Sequence, residues 1–141
     1  MQANARKILV SSTAALIDAG VQAKPGDTLL IQNGIYKNCN LIISARGTVS
    51  QPIVFMAQVP GNVHFTGNSY LHIIGNYITV SGVVFKDGFA GKNHVWQFSH
   101  GKEVANNSRI TGSSIQSFNN PLRLDENHWL TMSGKNNRVD H

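Results

Sequence analysis

Cysteine is almost missing from this chain: among 141 residues Cys39 stands alone. An intramolecular disulfide and a cysteine-rich zinc site are therefore both excluded, and Cys39 reads as a small buried or half-buried thiol. Charge is also scarce, with Asp, Glu, Lys and Arg at 13% against the usual ~25%. No apolar run approaches the ~20 residues of a membrane span, so no membrane partner is expected. Met1 to Arg6 lacks the apolar core of a secretory signal, although Gln2-Ala3-Asn4-Ala5 resembles the small-residue end of a removed one. The six histidines show no HExxH or comparable metal spacing.

Glycine (13) and asparagine (15) occupy much of the space that charge leaves. Both tolerate left-handed backbone, so a chain rich in them turns tightly and often. Hydrophobic content of 41% rules out a disordered composition. The net charge of +5 suits a polyanionic partner, either nucleic acid or an acidic polysaccharide. The basic residues are scattered from Arg6 to Arg138 and form no arm of the kind that binds nucleic acid, so no nucleic-acid partner is expected.

One helix is expected. Ser11, Ser12 and Thr13 offer capping oxygens to the segment Ala14 to Val21, giving a helix over about 12–22. Leu16, Ile17 and Val21 are read as its buried face. Lys24-Pro25-Gly26-Asp27 then turns the chain. Short strands follow at Thr28 to Gln32, Ile35 to Tyr36, Leu41 to Ser44, Pro52 to Gln58, Val63 to Thr66, Leu71 to Ile74, Ile78 to Val80 and Val83 to Phe85. No linker interrupts them, so residues 1–141 read as a single domain.

Val80-Ser81-Gly82-Val83-Val84-Phe85 is echoed 30 residues later by Ile110-Thr111-Gly112-Ser113-Ser114-Ile115. A third echo begins 29 residues on at Val139-Asp140-His141. Glycine after every few strand residues, together with this period, fits a parallel β-helix, in which each turn of chain stacks its inward side chains on its neighbours. The short helix would cap the first turn. The competing architecture is an antiparallel sandwich. The unfinished third echo implies the first part of a longer solenoid, whose open last turn invites self-association.

Candidate chemistry is sparse. His64 and His72 alternate with apolar neighbours and read as surface residues on outward strand faces. Asp27 and Asp87 sit in turns beside glycine, where turn capping is the expectation. Asn106-Asn107, Asn119-Asn120 and Asn136-Asn137 lie near repeat corners and read as stacked amides. Residues 119–135 have the least repeat character and carry Arg123, Trp129 and Lys135. Arg and Lys there could bind carboxylates and Trp could stack on a sugar ring; alternatively Trp129 and Leu130 simply begin a strand.

Ala23-Lys24-Pro25-Gly26-Asp27-Thr28, Asn33-Gly34-Ile35-Tyr36, Gly75-Asn76-Tyr77-Ile78 and Gly82-Val83-Val84-Phe85-Lys86-Asp87-Gly88 resemble, in order, the N-terminal part of polysaccharide lyase family 6, the alginate lyases and chondroitinase B. Asn107-Ser108-Arg109-Ile110-Thr111, Phe118-Asn119-Asn120-Pro121 and Gly134-Lys135-Asn136-Asn137-Arg138-Val139-Asp140-His141 continue the likeness, closer to the alginate lyase branch. The resemblance implies an all-β, right-handed parallel β-helix with an N-terminal capping α-helix. It implies cleavage of uronate polymers by β-elimination, assisted by calcium held on Asn and Glu and by a lysine base and an arginine, in a secreted or periplasmic enzyme. These catalytic residues and metal ligands map beyond His141, so none is assigned here and the 141 residues alone are expected to be inactive and to bind no calcium. Arg123, Trp129 and Lys135 remain as peripheral contacts to an acidic polysaccharide. A dermatan-cleaving chondroitinase and a non-catalytic carbohydrate-binding β-helix are the alternatives.

Overall fold

The computed structural model describes residues 6–91, 93–118 and 129–141. A half-turn, β1 (Lys7–Val10) and α1 (Thr13–Gln22), precedes the first full rung. That rung is β2 (Thr28–Ile31), β3 (Gly34–Lys37) and β4 (Asn40–Ile43). The second is β5 (Ile53–Ala57), β6 (Val63–Asn68) and β7 (Tyr70–Ile73). The third is β8 (Ile78–Ser81), β9 (Val83–Phe89) and β10 (Trp96–Gln97), followed by a hairpin, β11 (Ser99–His100) and β12 (Glu103–Val104). The fourth is β13 (Arg109–Thr111), β14 (Ser114–Gln116) and β15 (Leu130–Thr131), and β16 (Arg138–Asp140) opens a fifth.

Each rung contributes one strand to each of three parallel sheets: β1-β2-β5-β8-β13-β16, β3-β6-β9-β14 and β4-β7-β10-β15. Parallel pairing throughout the three sheets excludes the sandwich and makes this a β-helix; among the described residues only β11 and β12 pair antiparallel. The sequence echo is the register itself, for Val80 pairs Ile110 and Ile110 pairs Val139.

Alternation decides which side chains enter the coil. Leu29, Phe55, Val80 and Ile110 form one buried file, one residue per rung. Tyr36, Phe65 and Phe85 form another, with ring centroids 5.6 and 4.7 Å apart, and Phe118 meets Phe85 edge-on at 5.7 Å. Each such ring contributes about 1.5–3 kcal/mol by leaving water and about 0.5–1.5 kcal/mol by ring–ring contact. Serine hydroxyls tie rung to rung at the corners: Ser69 accepts from Cys39 N, Ser108 from Ile78 N and Ser113 from Val83 N, at 2.8, 3.2 and 3.1 Å. Gly82 and Gly112, at φ 78° and 57°, occupy equivalent corners that a Cβ would strain.

The helix forms where expected, with Ser12 Oγ accepting from Ala15 N at 3.1 Å. Its buried face differs from the sequence reading. Leu16 and Gly20 are buried, whereas Ile17 and Val21 are 38% and 57% exposed. The helix lies on β4 through Gly20, whose carbonyl accepts from Ser44 N and Ala45 N at 2.9 and 3.0 Å. A Cβ on Gly20 would stand 2.7 Å from the Ile42 carbonyl oxygen, so glycine permits this approach. With 3.6 residues per turn, Ile17 lies about 100° around the helix from Leu16 and faces away. Asp27 caps its turn as expected, accepting from Lys24 N at 2.8 Å, and it also holds Arg6 through two bonds of 2.9 and 2.8 Å. Cys39 is buried, and burial pushes its thiol up to about 12.

Candidate functional site at a solenoid corner

Lys135 stands at the corner between β15 and β16, in a file of bridge-paired residues that runs Arg46, Asn76, Asn106, Lys135, one per rung. The residue after each of the last three, Tyr77, Asn107 and Asn136, is left-handed at φ 54°, 53° and 59°. Two of these three are asparagine, the non-glycine type that best tolerates the conformation. The amides also bond along the axis: Asn107 Nδ2 donates to Asn76 Oδ1 at 3.0 Å, and Asn136 Nδ2 to Asn107 Oδ1 at 3.1 Å. The stacked-amide expectation holds for these pairs, while Asn119 and Asn120 lie outside the described residues.

A cleft of about 600 Å³ opens at this corner, lined by Asn76, Val104, Asn106, Asn107, Lys135 and Asn136 among others. Gly134 lets the chain pass, since a Cβ there would collide with the Ala105 carbonyl. Asn106 Oδ1 accepts from Lys135 N at 2.9 Å. The Oδ1 atoms of Asn76, Asn106 and Asn107 are thus engaged within the file. Among the described residues, the Nδ2 groups of Asn76 and Asn106 are bonded to nothing. The cleft therefore offers N–H donors and an ammonium, a set that suits an anion.

Trp129 lies at the opposite end of β15 from Lys135. Its carbonyl accepts from Trp96 N at 2.8 Å and its Nε1 donates to the Phe118 carbonyl at 3.0 Å, while the residue stays 41% exposed. It leads into the strand, as the alternative sequence reading had it. The structure thus sets Trp129 and Lys135 apart across one strand, and Arg123 falls outside the described residues.

His72 corrects the sequence reading. It faces outward on β7, yet it is 1% exposed. The β11–β12 hairpin folds over that face, bringing His100 Nδ1 to 3.0 Å from His72 Nδ1. His72 Nε2 lies 3.1 Å from the His94 carbonyl, and its ring stacks on Tyr70 at 4.1 Å. Burial pushes His72 down to about 4. The signal was the Gly101-Lys102 turn between two short polar strands, which marks an excursion from the coil. His64 remains only partly buried, with Nε2 2.9 Å from the Gly61 carbonyl.

No calcium ligand is assigned among the described residues. Among them no group of three or more His, Cys, Asp or Glu converges. Asp27 is held by Arg6, and Asp140 by Arg109 and Arg138 at 2.8 and 2.6 Å. Those guanidinium bonds pull both carboxyls below their ordinary range. A cleft edged by Lys135 repels a cation. Among the described residues no helix is long and apolar enough to cross a membrane.

The profile of the Chondroitinase B family matches residues 10–141. The chain is similar to the solved structure of the PL6 family alginate lyase AlyGC, with 35% identity and a TM-score of 0.89, over 94% of this chain and 18% of that one. A mannuronic acid specific polysaccharide family 6 lyase from human gut microbiota is 25% identical, with a TM-score of 0.88, over 96% of this chain and 33% of that one. A PL6 family polysaccharide lyase from Pseudopedobacter saltans is 27% identical, with a TM-score of 0.77, over 94% of this chain and 30% of that one. The chain thus spans between 18% and 33% of the length of these lyases. No curated protein matches it.

Proposed function

This chain belongs to the chondroitinase B family, polysaccharide lyase family 6, near its alginate lyase branch, and from that membership we propose that it forms the N-terminal rungs of a lyase acting on alginate or a related uronate polymer. The continuous match from residue 10 to residue 141 carries this reading. The reaction is β-elimination: the C5 proton of a uronate is removed, the C4–O bond breaks, and an unsaturated uronate remains on one fragment. The described residues provide no converging base and carboxylates, so the chain's own role is to begin the coil and to touch substrate peripherally through Lys135, Trp129 and Arg123. Calcium belongs to the chemistry of the longer family members and is assigned no ligand here. Such a polymer is met outside the cytoplasm, which supports a location in the periplasm or the medium.

Release of unsaturated uronate from alginate, polymannuronate and dermatan sulfate tests the reading. We expect no product from the 141 residues and product from alginate once the chain is continued by the rest of its gene. Product from dermatan sulfate alone would move the protein to the chondroitinase side. Absence of product from the continued chain on every uronate polymer would favour the carbohydrate-binding alternative.

A further inference from the structure

We propose that the corner file from Arg46 to Lys135 is a binding track for a carboxylate-bearing polysaccharide strand, lying along the solenoid axis; this rests on the uronate reading above. The file holds a cation at each end and an asparagine on each rung between. Successive strands in a sheet are about 4.8 Å apart, so three steps put Arg46 and Lys135 roughly 14 Å apart. One sugar ring spans about one such step, which matches a short run of rings with a carboxylate near each end.

The electrostatics point the same way. Among the described residues, the side chains of Arg46 and Lys135 make no hydrogen bond or ion pair, and both residues are exposed. Arg6, Arg109 and Arg138, by contrast, are committed to Asp27 and Asp140. Between the two free cations, Asn76 and Asn106 keep their amide N–H groups unused because their oxygens serve the file. The corner consequently offers the amide N–H groups of Asn76 and Asn106 and two cations against one open amide oxygen, that of Asn136, a balance that suits carboxylates over hydroxyl-only sugars. Val104, 44% exposed, adds an apolar wall on which the C–H face of a ring can rest.

The test is titration of the 141-residue chain with a hexauronate, followed by amide chemical shifts and calorimetry. A neutral hexasaccharide, a sulfated oligosaccharide and a short oligothymidylate serve as comparisons. We expect the hexauronate to shift resonances of Asn76, Asn106 and Asn107. Lys135→Ala and Arg46→Ala should each weaken binding by about 3- to 10-fold, with a shallower salt dependence. Neither side chain has a partner among the described residues, so an unchanged circular dichroism spectrum is expected of both. Equal binding by wild type and both variants would overturn the track, as would equal affinity for the neutral sugar. Tighter binding of the oligothymidylate would also overturn it, and tighter binding of the sulfated sugar would replace the carboxylate by a sulfate. Failure of the track leaves the lyase reading standing, because that is judged by product from the continued chain.

Discussion

At the scale of single residues, His72 is the most consequential buried group. Burial lowers its pKa to about 4 from 6.5, nearby His100 and His94 push the same way, and the bond to the His94 carbonyl opposes them. The unfolded chain therefore takes up the proton first as pH falls. Stability from this residue is complete above about pH 6.5 and is lost as pH falls toward 4. At 1.36 kcal/mol per unit this is on the order of 3 kcal/mol. Thermal unfolding between pH 7.5 and 4.5 should show the midpoint falling across that window, with His72→Gln flattening the slope. An unchanged slope in the variant would assign the effect elsewhere. Asp27 acts lower: its depressed pKa yields stability that is lost only below its unfolded value of 3.8. His72 was misread because alternation reports which face a strand residue occupies, whereas the cover over that face comes from a hairpin thirty residues downstream.

At the scale of elements, the N-terminal helix separates the two readings of its face. Leu16→Ala should cost about 2–5 kcal/mol, because it empties a fully buried site against the first rung. Ser12→Ala should cost about 1 kcal/mol through the lost cap. Ile17→Lys should stay within about 0.5 kcal/mol, as for other exposed positions. Chemical denaturation measures all three; an Ile17 variant as damaging as Leu16→Ala would restore the face read from sequence. Leu16, Ile17 and Val21 are all apolar, and helical spacing alone could not choose the line that touches β4. Gly20 made the choice, since its missing side chain lets the backbone of β4 come close. The corner amides were legible in sequence, because paired asparagines recurring at the repeat interval have few other uses in a coil.

At the scale of the whole molecule, stability is expected to grade along the axis, since each rung is held by the rungs on either side. The second and third rungs are covered above and below, whereas among the described residues β14, β15 and β16 pair with a strand on one side only. Hydrogen exchange should therefore be slowest in β5 and β8 and fastest in β15 and β16. Trp129, Leu130 and Met132 are 41%, 39% and 47% exposed in the last rungs. Sedimentation should reveal association that grows with concentration and that Leu130→Lys suppresses; a concentration-independent monomer would refute that expectation.

Composition, glycine spacing and the echo of Val80–Phe85 in Ile110–Ile115 by themselves determined a repeating array of short strands, because a solenoid repeats in sequence the same contacts that it repeats in space, while the parallel pairing that excludes a sandwich was decided by the structure. The capped helix and the turn chemistry of Asp27 were equally local and equally legible. Tertiary structure alone decided which line of the helix is buried, that the hairpin covers His72, and that Arg46, Asn76, Asn106 and Lys135 share one corner. Those facts depend on which rung lies beside which, and on how residues far apart in the chain meet across the stack. Periodicity fixes the direction in which a side chain points; only the packed coil fixes what it meets there.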